Sequence, residues 1–168
     1  MKKLVFLCSA CLLMAACSSQ RLTPEQKLAN EARVTRQVRD AIDNRTMTIE
    51  VNNMMPIRGG MKHLNDSYNI RLSGDTLYSY LPYFGRAYTV PYGGGKGLHF
   101  QAPLQDYVVS HPKRDLTVIQ LLVTNDEDQY HYMIELYDNG RANLTVRATE
   151  RDQISFSGEM KLKYQDEK

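Results

Sequence analysis

The chain has 168 residues, 42% hydrophobic and 24% charged, with 21 Lys and Arg against 19 Asp and Glu. That balance excludes a disordered or fibrous polymer and bounds the chain to one ordinary domain. A formal charge of +2 leaves no electrostatic footprint for nucleic acid, and no stretch beyond the N-terminus is apolar over the roughly 20 residues a bilayer span requires.

The first segment has the pattern of an export signal. Lys2 and Lys3 precede an apolar run from Leu4 to Ala16, and polar Ser18, Ser19 and Gln20 follow. The run is too short to span and suits export. It closes on Leu13-Met14-Ala15-Ala16-Cys17, which resembles the bacterial lipobox, so Cys17 is the expected lipidation site; Cys11 would leave the apolar run too short. The expected organisation is a signal peptide over 1–16, a lipidated tether over 17–22 and one globular domain over 23–168. Loss of Lys2 and Lys3 would balance the charges, and none of the three cysteines, Cys8, Cys11 and Cys17, would remain for a disulfide or a metal. The mature body then depends on an apolar core.

Thr23-Pro24-Glu25-Gln26 reads as a capping box with proline at the first helical position, opening a helix over 23–44. Val34, Val38, Ala41 and Ile42, with Leu28 before them, supply its apolar stripe. From Thr46 the period falls to two: Met47, Ile49 and Val51 alternate with polar residues, as do Tyr68, Ile70 and Leu72. Ser73-Gly74-Asp75 turns a hairpin over 67–81. Further strands fit 107–110, 116–124, 129–137, 141–147 and 154–164, and Asp138-Asn139-Gly140 suggests a type I′ turn between two of them. Strands joined without helices exclude βαβ units. The expected fold is mainly β (α+β): one N-terminal helix, then an antiparallel meander over 46–164 curling into a sandwich or a partly open barrel.

Residues 78 to 100 hold five of the eleven tyrosines. Tyrosine offers a rigid apolar face with a polar tip, so Tyr80, Tyr83, Arg86, Tyr88, Tyr92, Lys96 and His99 are the candidate ligand-binding residues, set against the plainer reading that these tyrosines pack within strands. Gly93-Gly94-Gly95-Lys96-Gly97 lacks the spacing of a phosphate-binding loop. His63, His99, His111 and His131 are scattered, so no metal site and no cofactor is expected. Asn125-Asp126-Glu127-Asp128 reads as a solvated turn. No serine lies in a nucleophile elbow and no carboxylate pair stands out, so no catalytic residue is assigned and the sequence leans away from an enzyme.

Four blocks carry a resemblance: Met55-Pro56-Ile57-Arg58-Gly59-Gly60, residues Ser79 to Tyr88, residues Pro91 to Phe100, and Ile154-Ser155-Phe156-Ser157-Gly158. They resemble an uncharacterised Bacteroides-type lipoprotein family, the domain of unknown function 4251 family, over roughly residues 33–162. The resemblance implies a cell-envelope lipoprotein of Bacteroidota and brings no activity, substrate or cofactor. Ser18-Ser19-Gln20-Arg21 lacks the acidic residues that surface-exported lipoproteins of that group tend to carry, which favours the periplasmic face. The expected function is therefore a non-enzymatic periplasmic binding or interaction module. Its partners are the membrane, through the lipid anchor, and an envelope ligand or protein, with no nucleic acid. The alternative is an envelope hydrolase whose site assembles only in three dimensions.

Overall fold

The computed structural model describes residues 23–86, 88 and 97–162. Helix α1 spans Pro24–Asp43 and opens with the expected capping box: the Thr23 amide donates to Gln26 Oε1 at 2.9 Å and the Gln26 amide to Thr23 Oγ1 at 3.3 Å. From Glu31 onward the chain forms one compact unit. In it Val38 and Ile42 are buried and Val34 and Ala41 pack partly against the core. Leu28, expected in the same stripe, is exposed. The helix ends at Arg45, whose φ of 50° reverses the chain into the first strand.

Nine antiparallel strands follow: β1 (Thr46–Pro56), β2 (Lys62–His63), β3 (Asn69–Ser73), β4 (Thr76–Leu81), β5 (Leu98–Lys113), β6 (Leu116–Thr124), β7 (Gln129–Tyr137), β8 (Arg141–Ala148) and β9 (Ile154–Met160). They pair in the order β2-β1-β3-β4-β5-β6-β7-β8-β9, and β9 returns to pair with β1. Eight strands thus close a barrel, with β2 a short addition on the rim of β1. Closure is the step the sequence could not decide, because the pairing of β1 with β9 joins strands with no turn between them.

An eight-stranded barrel is just wide enough to be filled by side chains. Ile49, Met54, Ile70, Leu77, Leu81, Leu98, Ile119, Leu121, Tyr132, Ile134 and Phe156 are all at most 2% exposed, so the interior is a packed core. Polar groups enter this core with Tyr130, Tyr132 and Ser79: the Tyr132 hydroxyl donates to Ser79 Oγ at 2.9 Å, and Ser79 donates on to the Leu98 carbonyl at 2.7 Å.

The helix stands at one end of this barrel, the helix end, where β1 begins. Thr35 Oγ1 donates to the Asp138 carbonyl, Arg39 pairs with the Asp138 carboxylate at 3.1 Å, and the Tyr107 hydroxyl donates to the Ile42 carbonyl at 3.1 Å. Two sequence expectations are corrected here. The strand placed at 107–110 is part of the sixteen-residue β5, interrupted in the pattern by Pro103 and by register shifts at 104–106 and 110–113. The Asp138–Gly140 turn has positive φ only at Gly140, 86°. It is therefore a three-residue connection ending in a left-handed glycine, not a type I′ turn.

Candidate functional site

At the opposite, distal end meet the loop after β1, the β4–β5 connection, the β6–β7 turn and the β8–β9 connection. The foundation of this end is a buried cation that no pattern in the sequence singles out. The Arg151 side chain is 4% exposed. Its guanidinium donates to the Gly97 carbonyl at 3.0 Å and to the Glu127 carboxylate, lies 3.9 Å from Asp128 Oδ2, and sits 5.6 Å over the ring of Tyr83. Asp128 is itself buried, and its carboxylate accepts the amides of Gln129, Thr149 and Glu150. The acidic run read as a solvated turn is thus the anionic half of a buried ion cluster tying three connections together. A buried charge stays buried only when paired and hydrogen-bonded, and here it is both.

Above this cluster lie three of the predicted residues. The Tyr83 hydroxyl is 2.8 Å from the Arg86 carbonyl and 3.1 Å from the Asp152 carbonyl. Gly85 permits this fold-back, since a Cβ there would stand 2.5 Å from the Tyr83 hydroxyl. Burial, and secondarily the Asp152 charge, pushes the Tyr83 phenol up from its ordinary value. Arg86 is tied through its backbone: its amide donates to Asp152 Oδ2 at 3.3 Å and its carbonyl accepts the Asp152 amide at 3.0 Å. The Tyr88 hydroxyl donates to Asp152 Oδ1 at 2.7 Å, which raises the phenol while its ring remains 68% exposed. Asp152 is the organising residue that sequence reasoning missed.

The Tyr88 hydrogen bond, then the Arg86 amide, holds the Asp152 carboxyl below the ordinary carboxylate range. A depressed acid contributes its stabilisation above the ordinary carboxylate pKa and loses it as pH falls through the lowered folded value. The Tyr88 tie should therefore persist through mild acid and release only below the range in which exposed aspartates titrate. An NMR pH titration of the Arg86 amide checks this, and a midpoint at the ordinary aspartate value would contradict it.

Tyr80 and His99 stand apart from that cluster, on the outer wall. They are cross-strand partners in β4 and β5; their rings are 4.4 Å apart, and Tyr68 stacks on Tyr80 at 5.4 Å. Tyr92, Lys96 and Cys17 lie outside the described residues. The predicted constellation thus divides into a rim cluster of Tyr83, Arg86 and Tyr88 and a wall cluster of Tyr80 and His99. His63 contacts Asn53, and His111 contacts Thr117. No group of three metal-ligating side chains occurs among the described residues.

Exposed apolar side chains concentrate at the distal end. Ile57, Met61, Phe84 and Tyr88 are 64%, 70%, 53% and 68% exposed, and the Lys62 ammonium lies 4.2 Å over the Phe84 ring. Arg58 lies close enough to contribute to the fields at Tyr88 and Asp152. Two surface cavities, of about 430 and 560 Å³, lie instead at the helix end, the larger lined by Arg39, His111, Lys113 and Arg114 among others. Neither contains a residue of the predicted constellation. Chemically, the distal end presents flat aromatic and aliphatic surface beside cations. Within it Asp152 accepts two donors, the Tyr88 hydroxyl and the Arg86 amide.

The fold agrees with comparisons to known proteins. A family model described as Domain of unknown function (DUF4251) matches residues 29–160. Among solved structures the chain is similar to a DUF4251 family protein from Bacteroides eggerthii DSM 20697. That likeness has a TM-score of 0.60 and 14% identity, covering 79% of this chain and 89% of the other, and it is one of fold. No curated protein matches. With most of its length matched, from the middle of α1 to the end of β9, the chain belongs to the DUF4251 family of domains of unknown function.

Proposed function

We propose that the protein is a cell-envelope lipoprotein, anchored through Cys17 on the periplasmic face, whose barrel acts as a non-enzymatic interaction module and contacts its partner with the distal rim. The observation that carries the reading is the state of Tyr88: its hydroxyl is fixed on Asp152 at 2.7 Å while its ring is left 68% exposed. A rigid aromatic face held ready at low entropy cost is the mark of a contact residue. Phe84 and the Arg86 side chain extend the same exposed surface, whereas Tyr83 is its packed support. The lipobox-like Leu13 to Cys17 and a remainder free of cysteine support the anchoring.

Two measurements test the two halves. Radiolabelled fatty acid should enter the parent protein in its native host and be absent from Cys17→Ser; equal labelling of both would remove the anchor. A photo-crosslinking side chain at position 84 should give a discrete adduct that Arg86→Ala and Tyr88→Ala each reduce about tenfold, the loss expected for one contact worth roughly 1.4 kcal/mol. Arg86→Ala should keep the parent melting temperature, its side chain being exposed, and Tyr88→Ala should lower it only slightly, by the loss of its hydrogen bond to Asp152. An adduct pattern identical to that from a crosslinker at His131, on the outer wall, would remove the site.

A further inference from the structure

The loop joining β1 to β2 needs its two glycines for the turn, but nothing in the turn requires the apolar residues beside them. It reads Ile57-Arg58-Gly59-Gly60-Met61, and Lys62 opens β2. At its tip Gly59 and Gly60 have φ of 100° and 72°, and a Cβ built on either would meet no atom of the described residues within 4 Å, so the tip is locally open. Flanking it are the exposed side chains of Ile57 and Met61, and each is followed by a cation, Arg58 and Lys62. Phe84 adjoins them under the Lys62 ammonium, and Arg86 and Tyr88 complete the surface. A soluble surface gains nothing from two aliphatic prongs on a free tip. An aqueous–lipid boundary does, because apolar side chains enter the acyl region while long cationic ones keep their charge at the headgroups.

We infer that the distal rim docks on an anionic lipid surface, with Ile57, Met61 and Phe84 inserting and Arg58, Lys62 and Arg86 meeting the headgroup phosphates. The assignment rests on the reading of this rim as an interaction surface and names its partner. Charge decides between lipid classes: Arg58, Lys62 and Arg86 accompany the prongs, and Asp152, which lies in the field of Arg58 and Arg86, is already engaged by Tyr88 and the Arg86 amide. Each cation near a negative membrane surface contributes about fivefold to binding. Prong and cation alternating from the loop into the first residue of β2 also suit a fluid boundary better than a protein pocket, which takes an anchor into a fixed hole.

The chain contains no tryptophan, so one introduced residue reports its own surroundings whatever the N-terminal segment does. Full-length Met61→Trp, and separately Ile57→Trp, should shift its emission to the blue and resist aqueous quenchers on vesicles of phosphatidylcholine with phosphatidylglycerol. On phosphatidylcholine alone either should do so far less. Val108→Trp, exposed on β5, should respond to neither. Adding Arg58→Gln and Lys62→Gln to Met61→Trp should weaken partition into the anionic vesicles about 25-fold.

Reporters at 57 and 61 that stay as quenchable with anionic vesicles as without them overturn the lipid assignment. So does a Val108→Trp response as large as theirs, which would mean adsorption without orientation. If the reporters are silent while the position-84 adduct still depends on Arg86 and Tyr88, the rim is an interaction surface for a protein. If that dependence is lost as well, both readings fall.

Discussion

Gly158→Ala is expected to cost about 3 kcal/mol or more, the upper end of overpacking penalties, and to prevent the barrel from closing. Gly158 faces Val51 where β9 meets β1, next to the register shift between Val51 and Asn53. A Cβ there would lie 1.9 Å from the Glu50 carbonyl oxygen and 2.7 Å from the Val51 Cα. Both are backbone atoms of a strand held on its other edge by β3, so the clash has no rotamer to relax into. Gly85→Ala is the informative control, since the described atoms nearest its Cβ would be the Tyr83 ring tip and the Asp152 Cβ, and a side chain can swing away. Urea unfolding followed by circular dichroism should place the Gly158→Ala midpoint far below both the parent and Gly85→Ala. Equal midpoints for the two alanine variants would show that the β1–β9 seam is not what holds the fold.

Arg151→Met should be the second most damaging change. It removes the cation shared by Glu127, Asp128 and the Gly97 carbonyl, leaving a buried carboxylate without its counter-charge and a carbonyl without its donor. Breaking a buried pair from one side costs about 3 to 5 kcal/mol. The lower end applies, because backbone amides continue to satisfy Asp128. About 3 kcal/mol corresponds to a fall in Tm of roughly 6 to 12 °C for a domain of this size. Arg151→Lys should recover little, since an ammonium lacks the planar fork that reaches a carbonyl and a carboxylate at once. Loss of the native NMR amide signal of Tyr83 before the global transition would locate the damage at the distal rim. A variant melting with the parent would mean that the ion cluster is incidental to stability.

Much of this architecture is legible in the amino-acid order because local rules act alone there. The 23–44 helix is signalled by its cap and stripe, and strands β6 and β7 fall on 116–124 and 129–137 as alternation predicts. What was hidden depends on partners distant in sequence. β2 is two residues long and exists only as an addition to β1. The extent of β5 is masked by Pro103, tolerable because that residue pairs at the limit of the β4 ladder. Arg151 and Asp128 look like surface charges until the barrel brings 127–128 beneath 149–151. The candidate site divides for a simple reason: Tyr80 and His99 still belong to strands, whose alternation sends them to the outer wall. The chain beyond Leu81 leaves the sheet and is free to fold Tyr83 back over Gly85. Asp152, which organises that turn, follows an arginine in a short polar connection and carries no pattern.

The seam between β1 and β9 also sets when this molecule can acquire its shape. Its two halves are the earliest and the latest strands made, so every nascent chain shorter than the whole domain has an unpaired edge and an unsealed interior. Contacts this far apart along the chain form late and slowly. A polypeptide so arranged stays threadable until its last strand is delivered, and only then do the margins of β1 and β9 cover each other.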